Sequence, residues 1–328
     1  MTIRDTQPRS SAAAPTFGAW LPEPLGGPVG AWQQALQLGA RLGGLRLEPA
    51  DWAANPSATT QKSTGLTYDR AGPHDDHRPP MLLVHGLGSC RRIWRSVAAT
   101  LALQHDVIAV DLPGHAGLPV GIDQSPMGLA RTLAAFLDEL GIDRVHVVGH
   151  SLGGWTALEL GADGRAASIT GLASAGLPYQ PATKRSALLW ANLELATRLA
   201  PLVPVLVRPT ALRALTMTTG TTRPAELPYV DAVVAALAHQ QASGFLATLD
   251  ATLNTVFKRA AAIDATVPVT VLICERDAVL PPEHHDDPLK APPHTMWVRL
   301  GGSGHAPLWD APKQVLQAIG DTVVRAST

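Results

Sequence analysis

Short, continuous apolar runs mark the chain after Pro80. Met81-Leu82-Leu83-Val84, Val107-Ile108-Ala109-Val110, Val145-His146-Val147-Val148 and Val269-Thr270-Val271-Leu272-Ile273 are each about a strand long. Such runs suit strands buried on both faces, as in a parallel sheet. Between them the period changes. Over residues 129–140, Leu129, Leu133, Phe136, Leu137 and Leu140 recur at spacings of three and four, which puts them on one side of a helix. Strand alternating with helix predicts an α/β fold. Upstream, residues 44–47 and 66–70 are short strand candidates joined by a polar loop. Residues 1–40 are rich in Pro, Gly, Ala and Ser and read as an N-terminal arm, its first 15 residues loose.

The alternation stops near Gly176 and resumes at Val267. In between, helical patterns are broken by Pro181, Pro201, Pro204, Pro209, Pro224 and Pro228. The expected organisation is an α/β core over 41–176 and 263–328, with a helical cap over 177–262 inserted above the active edge of the sheet. The last part of that insertion, 244–259, also fits the core. No internal repeat is visible.

Composition narrows the function classes. Apolar residues make up 46% of the 328 residues and charged residues 16%, which supplies a core and argues against disorder. Net charge is −1 with no long Lys or Arg run, so a nucleic-acid surface is not expected. The densest basic group, Arg91, Arg92 and Arg95, reads as a solvated helix face. Cys90 and Cys274 fit neither a disulfide framework nor a metal-spaced pair, and free thiols suggest a reducing cytoplasm. The first five residues lack a signal peptide's apolar segment. The most apolar long stretch, 187–207, contains Glu194, Arg198, Pro201 and Pro204 and makes a poor membrane span. His74-Asp75-Asp76-His77 and His284-His285-Asp286-Asp287 could suggest metal ligands, but adjacent residues in polar turns converge poorly on one ion. No metal or cofactor is therefore expected.

The segment that carries chemistry is Val145-His146-Val147-Val148-Gly149-His150-Ser151-Leu152-Gly153-Gly154-Trp155. A serine between strand and helix must turn sharply to project its hydroxyl above the sheet. The strained turn crowds the residues two before and two after it, so small residues are needed at 149 and 153. The following helix aims its free N–H groups at the same spot, where they favour developing negative charge.

With that motif in place, the sequence resembles the α/β hydrolase superfamily from about Leu66 to the C-terminus. Further motifs follow in the family's order. His85-Gly86-Leu87-Gly88 follows one apolar strand, and Asp111-Leu112-Pro113-Gly114-His115 follows the next. Asp277-Ala278-Val279-Leu280-Pro281 stands where the family places its acid, and Gly304-His305 where it places its base. The resemblance implies a mostly parallel, doubly wound sheet with a helical cap. It implies a catalytic triad of Ser151, Asp277 and His305 in the order of this fold, and an oxyanion hole from the backbone N–H groups of Leu87 and Leu152. Glu275 is a rival acid, but Asp277 begins the loop. A strand at 169–173 is followed by Ser174-Ala175-Gly176, which offers no carboxylate. His85 and His115 read as structural, and His150 is expected to point away from the serine. Asp310 and Pro312 read as the N-cap and first turn of the last helix.

The function implied is hydrolysis of a carboxylic ester, lactone or thioester with an apolar moiety, through an acyl-enzyme. The substrate is a small molecule, and no oligomeric state is implied. The same fold also hosts C–C bond hydrolases, cofactor-free peroxidase-like enzymes and non-catalytic binding proteins. Epoxide hydrolase and dehalogenase chemistry is disfavoured, because those relatives need a carboxylate where Ser151 stands.

Overall fold

A computed structural model describes residues 59–75, 77–181, 202 and 206–327. The N-terminal arm, the strand candidate at 44–47, Asp76 and most of 182–205 lie outside the described residues, as does nearly all of the apolar stretch 187–207.

Strands β1 (Thr59–Ser63) and β2 (Leu66–Ala71) form an antiparallel hairpin. Its two-residue turn is Thr64-Gly65, with φ of 47° and 76°. Positive φ at both central residues is the turn geometry whose twist matches that of paired strands. Sequence reading missed β1, whose five residues Thr-Thr-Gln-Lys-Ser are polar and almost wholly exposed.

Strands and helices then alternate as expected. β3 (Met81–Val84), α1 (Arg95–Leu101), β4 (Val107–Val110), α2 (Pro126–Glu139), β5 (Val145–His150), α3 (Leu152–Ala162) and β6 (Ala166–Leu172) follow one another. Helices α4 (Thr210–Thr216), α5 (Tyr229–Gln240) and α6 (Phe245–Thr252) precede β7 (Val269–Cys274), β8 (Met296–Leu300) and the short α7 (Pro307–Asp310). The final helix is α8 (Pro312–Ala326). The eight strands form one sheet in the order β1-β2-β4-β3-β5-β6-β7-β8. All pairings from β4 to β8 are parallel.

Successive residues of a strand face opposite sides of the sheet, and both sides are covered. Leu82 and Val84 of β3 pack with Ile108, Val147 and the α2 residues Leu129, Leu133, Phe136 and Leu137. Met81 and Leu83 pack on the other side with Trp94, Val97, Leu272 and the α8 residues Val315 and Ile319. Every residue of β3, β4, β5 and β7 is buried, which explains why those runs are continuously apolar rather than alternating. Helix α2 begins as its sequence dictates: Ser125 accepts a hydrogen bond from the Gly128 N–H at 3.0 Å, and Pro126 occupies the first turn.

Among the described residues no strand lies between β6 and β7. The last part of that interval joins the core, where Phe257 and Ile263 are buried against the sheet. Its earlier part touches the sheet's loops. The Gly244 N–H donates to the Gly114 carbonyl at 2.7 Å, Gly117 donates to Gln241 at 3.0 Å, and Arg95 pairs with Asp231 at 3.0 Å.

The basic group does not form a solvated face. Arg91 and Arg92 are buried, and Arg91 bridges Asp69, at 3.0 Å, and Asp111. Two buried acidic groups, Asp69 within β2 and Asp111 just after β4, need a cation, and that need outweighs the desolvation of Arg91. No described helix is long and apolar enough to cross a membrane.

Candidate active site

Parallel strands end on the same edge of a sheet, so the loops after β3, β5, β7 and β8 converge. Pairings such as Val84 with Gly149 and Cys274 with Leu300 bring these strand ends level with their neighbours.

Ser151 follows β5 with φ 54° and ψ −116°, a conformation that L-residues rarely adopt. Such a residue costs about 1–3 kcal/mol and persists only where its surroundings fix it. Here its N–H donates to Leu172 at 2.9 Å, continuing the sheet, while its carbonyl accepts from Gly154 and Ala175, both at 2.9 Å. The flanking glycines fit as steric reasoning requires. A Cβ on Gly149 would strike the Gly153 carbonyl, and one on Gly153 would strike the Val84 carbonyl. Helix α3 is buried on every side from Leu152 to Gly161, so the elbow rests on a rigid core element.

The structure brings together Ser151, Asp277 and His305. The Ser151 Oγ lies 3.0 Å from His305 Nε2, and His305 Nδ1 lies 2.7 Å from Asp277 Oδ2. The second Asp277 oxygen accepts from the N–H groups of Val279 and Leu280, each at 2.8 Å. Burial raises the Asp277 pKa, but the His305 hydrogen bond and these backbone donors outweigh it and hold the carboxyl below its ordinary range. Glu275, the rival acid, is exposed on the strand's margin.

The first loop passes close to the serine. A Cβ on Gly86 would stand 3.1 Å from the Ser151 Cβ. His85 accepts from the Leu112 N–H at 3.0 Å through Nε2, so its Nδ1–H donates to the Gly86 carbonyl at 2.8 Å. The Ser89 N–H reaches the same carbonyl at 3.1 Å. The Gly86–Leu87 peptide is trans, so fixing that carbonyl turns the Leu87 N–H the opposite way. Neither the Leu87 nor the Leu152 N–H has an acceptor among the described residues. The β6–β7 segment covers this loop: a Cβ on Gly88 would meet His239 at 2.7 Å and the Phe245 ring at 3.0 Å.

His150 makes no hydrogen bond to Ser151, in keeping with expectation, but it has a partner in the loop that carries His305. Its Nε2–H donates to the His305 carbonyl at 2.7 Å, and the two rings lie 5.0 Å apart. Burial pushes its pKa down to about 3, as it pushes His85 to about 4 and His115 to about 3. All three are neutral structural groups.

Asp310 departs from expectation. It ends α7, while the residue capping α8 is Ala311, which makes no side-chain cap bond; Pro312 does start α8. The Asp310 carboxylate instead accepts from Thr221 Oγ1 at 2.5 Å, Thr222 N at 3.1 Å and Gly304 N at 2.7 Å. No local pattern signals this, because its partners lie far away in sequence.

The candidate metal turns are occupied by protein contacts. His74 lies 2.9 Å from Asp106, Asp75 pairs with Arg78, and Asp287 pairs with Lys290. Among the described residues no group of three or more His, Cys, Asp or Glu could hold a metal ion.

A family model described as "Alpha/beta hydrolase family" matches residues 81–318, well over half of the chain. The chain is similar to an uncharacterised protein of Mycobacterium bovis, 31% identical over 286 residues, 83% of each chain. It is also similar to epoxide hydrolase EphH of Mycobacterium tuberculosis, 33% identical over 200 residues, 56% of this chain and 87% of that one. A dihydrolipoyllysine-residue acetyltransferase component of the acetoin cleaving system from Pseudomonas putida matches over 101 residues at 40% identity. That match covers 30% of this chain and only 27% of the relative's length. In fold, the chain is similar to the enol-lactonase from Burkholderia xenovorans LB400, with a TM-score of 0.64, 19% identity, and coverage of 81% of this chain and 100% of that one.

Proposed function

The chain belongs to the alpha/beta hydrolase family, which supports a hydrolase acting on a small molecule, and from that premise we propose a serine hydrolase that cleaves a carboxylic ester, lactone or thioester with an apolar moiety. His305 Nε2 takes the Ser151 proton as Oγ adds to the substrate carbonyl carbon. The N–H groups of Leu87 and Leu152 hold the resulting oxyanion. Asp277 orients the imidazole and stabilises its protonated form. The imidazolium then protonates the departing oxygen or sulfur, leaving an acyl-serine. Water, deprotonated by His305, attacks that acyl carbon, releases the acid and restores the serine hydroxyl.

What supports this reading is the pair of hydrogen bonds at 3.0 and 2.7 Å that line up alcohol, imidazole and carboxylate. Opening an epoxide by way of an enzyme-bound ester would need a carboxylate at position 151, so the activity named for EphH is not carried over. The helical part of the β6–β7 segment is read as a cap, with Phe245 beside the first loop and Met217 among its apolar residues; this favours an apolar substrate part. Cys90 and Cys274 are free and buried, and burial pushes both thiols up to about 12, which suits inert structural thiols in the cytoplasm.

The test is hydrolysis of short- and medium-chain nitrophenyl esters. The protein is expected to turn them over, and Ser151→Ala to lose about four to six orders of magnitude in kcat. Full activity in that variant overturns the reading.

A further inference from the structure

We infer that Asp310 is a positioning residue for the base, tying residues 220–223 of the β6–β7 segment to the loop that carries His305. This rests on the serine-hydrolase reading of the site.

The need for such a residue follows from the loop itself. His305 is preceded by Gly301, Gly302 and Gly304, and Gly302 has a φ of 73°. A glycine-rich backbone has many conformations open to it, so one position must be imposed from outside. Polar contacts on both sides of His305 impose it. The Gly304 N–H donates to Asp310 Oδ2, and the Ala306 N–H donates to the Gly220 carbonyl, each at 2.7 Å. The same carboxylate accepts from the Thr221 hydroxyl and the Thr222 N–H. The Thr222 hydroxyl donates to the Gly302 carbonyl at 2.8 Å, and Arg223 donates to the Asp310 carbonyl.

One carboxylate therefore gathers three donors, one from the base loop and two from the β6–β7 segment. Thr221 is only 3% exposed, so removing the acceptor strands donors that water reaches poorly. The fit is also close: a Cβ on Gly304 would lie 3.3 Å from Asp310 Oδ2 and from Thr222 N. The side chain is not spent on a helix cap, since α8 starts after Ala311 without one. Where His305 stands thus depends on where residues 220–223 stand, and the Asp310 carboxylate is the joint.

The experiment compares the wild type with Asp310→Ala, Asp310→Asn and Thr221→Val. Active sites are counted with a fluorophosphonate label and kcat is expressed per labelled site, so unfolded protein does not enter. Asp310→Ala is expected to lower kcat about 10- to 100-fold with KM little changed, because the base serves the transition state rather than substrate binding. Asp310→Asn is expected to stay within a few-fold of wild type. Its amide oxygen accepts from Gly304 and Thr222, and its amide nitrogen donates to the Thr221 hydroxyl. Thr221→Val keeps the carboxylate but removes the hydroxyl that donates to it and that accepts from the Arg223 N–H, for a loss of about three- to tenfold. The far-downfield proton resonance of the His305 Nδ1–H, visible without substrate, is expected to be sharp in wild type and Asp310→Asn and broadened or lost in Asp310→Ala.

Equal kcat per labelled site in wild type and Asp310→Ala overturns the inference and leaves the serine-hydrolase reading intact. Should Asp310→Ala not fold, an unchanged kcat in Thr221→Val overturns it instead. A wild type that neither labels nor hydrolyses esters removes the serine-hydrolase reading, and this inference with it.

Discussion

Ser151 and His305 meet at 3.0 Å, yet the turns that present them are built differently. The serine's turn is held by shape. Its strand is fully buried and its helix buried from Leu152 to Gly161, and its neighbours at 149 and 153 leave no room for a side chain. The histidine's turn is held by polar ties to His150, to the Gly220 carbonyl and, through nearby Asp310, to distant Thr221 and Thr222. Close-packed contacts are stiff and local, and a misfit is felt as lost stability. Hydrogen bonds across a loop constrain direction, and losing one lets the group wander without unfolding the core. Damage to the first region should therefore appear mainly in folding, and damage to the second mainly in turnover.

The largest effect expected on that contrast is from Asp277→Asn. It leaves shape nearly unchanged but removes the charge that faces His305, so kcat should fall by about three to four orders of magnitude while Tm moves little. Steady-state kinetics and a thermal melt on one preparation check both halves. On the other side, Gly153→Ala drives a methyl into the Val84 carbonyl. A loss of about 3 kcal/mol is expected, read as a lower denaturant midpoint, because backbone cannot step aside as a side chain can. If this variant melts like wild type, shape does not hold the elbow.

The smallest expected effect concerns His150, which joins the two regions. Its folded pKa of about 3 lies below the ordinary value near 6.5. Below pH 6.5 the unfolded chain takes up a proton that the folded chain refuses, so acid favours unfolding. His85 and His115, at about 4 and 3, act in the same direction. Asp277 adds to this only at lower pH, within and below the ordinary carboxylate range, where the unfolded carboxyl takes up a proton that the folded one still refuses. His150→Gln keeps an N–H for the His305 carbonyl but no longer titrates. It should remove about 2 kcal/mol of acid sensitivity between pH 7 and 5, measured as a shallower decline of unfolding free energy with pH.

The same contrast governs how much could be read from sequence. Buried strands announce themselves as apolar runs, and the elbow announces itself by local spacing, because both are shaped by neighbours in sequence. The polar β1 carried no such signal. Arg91 and Arg92 suggested a solvated face because nothing nearby in sequence shows that Asp69 and Asp111 enclose Arg91. Asp310 suggested a helix cap because a proline-led helix follows it, whereas its partners Thr221 and Thr222 are some ninety residues away. His150 makes no hydrogen bond to Ser151, as expected, but its tie to the His305 carbonyl could not be foreseen. For Arg91, Asp310 and His150 the missed information is a long-range polar contact, which leaves no periodicity behind.

The central claim is that Ser151 is the nucleophile activated by His305. Mass-spectrometric mapping of the protein after reaction with a fluorophosphonate tests it most directly. One adduct is expected, on Ser151, formed in the wild type and much more slowly in His305→Ala. An adduct on another residue, or none on folded protein, contradicts it.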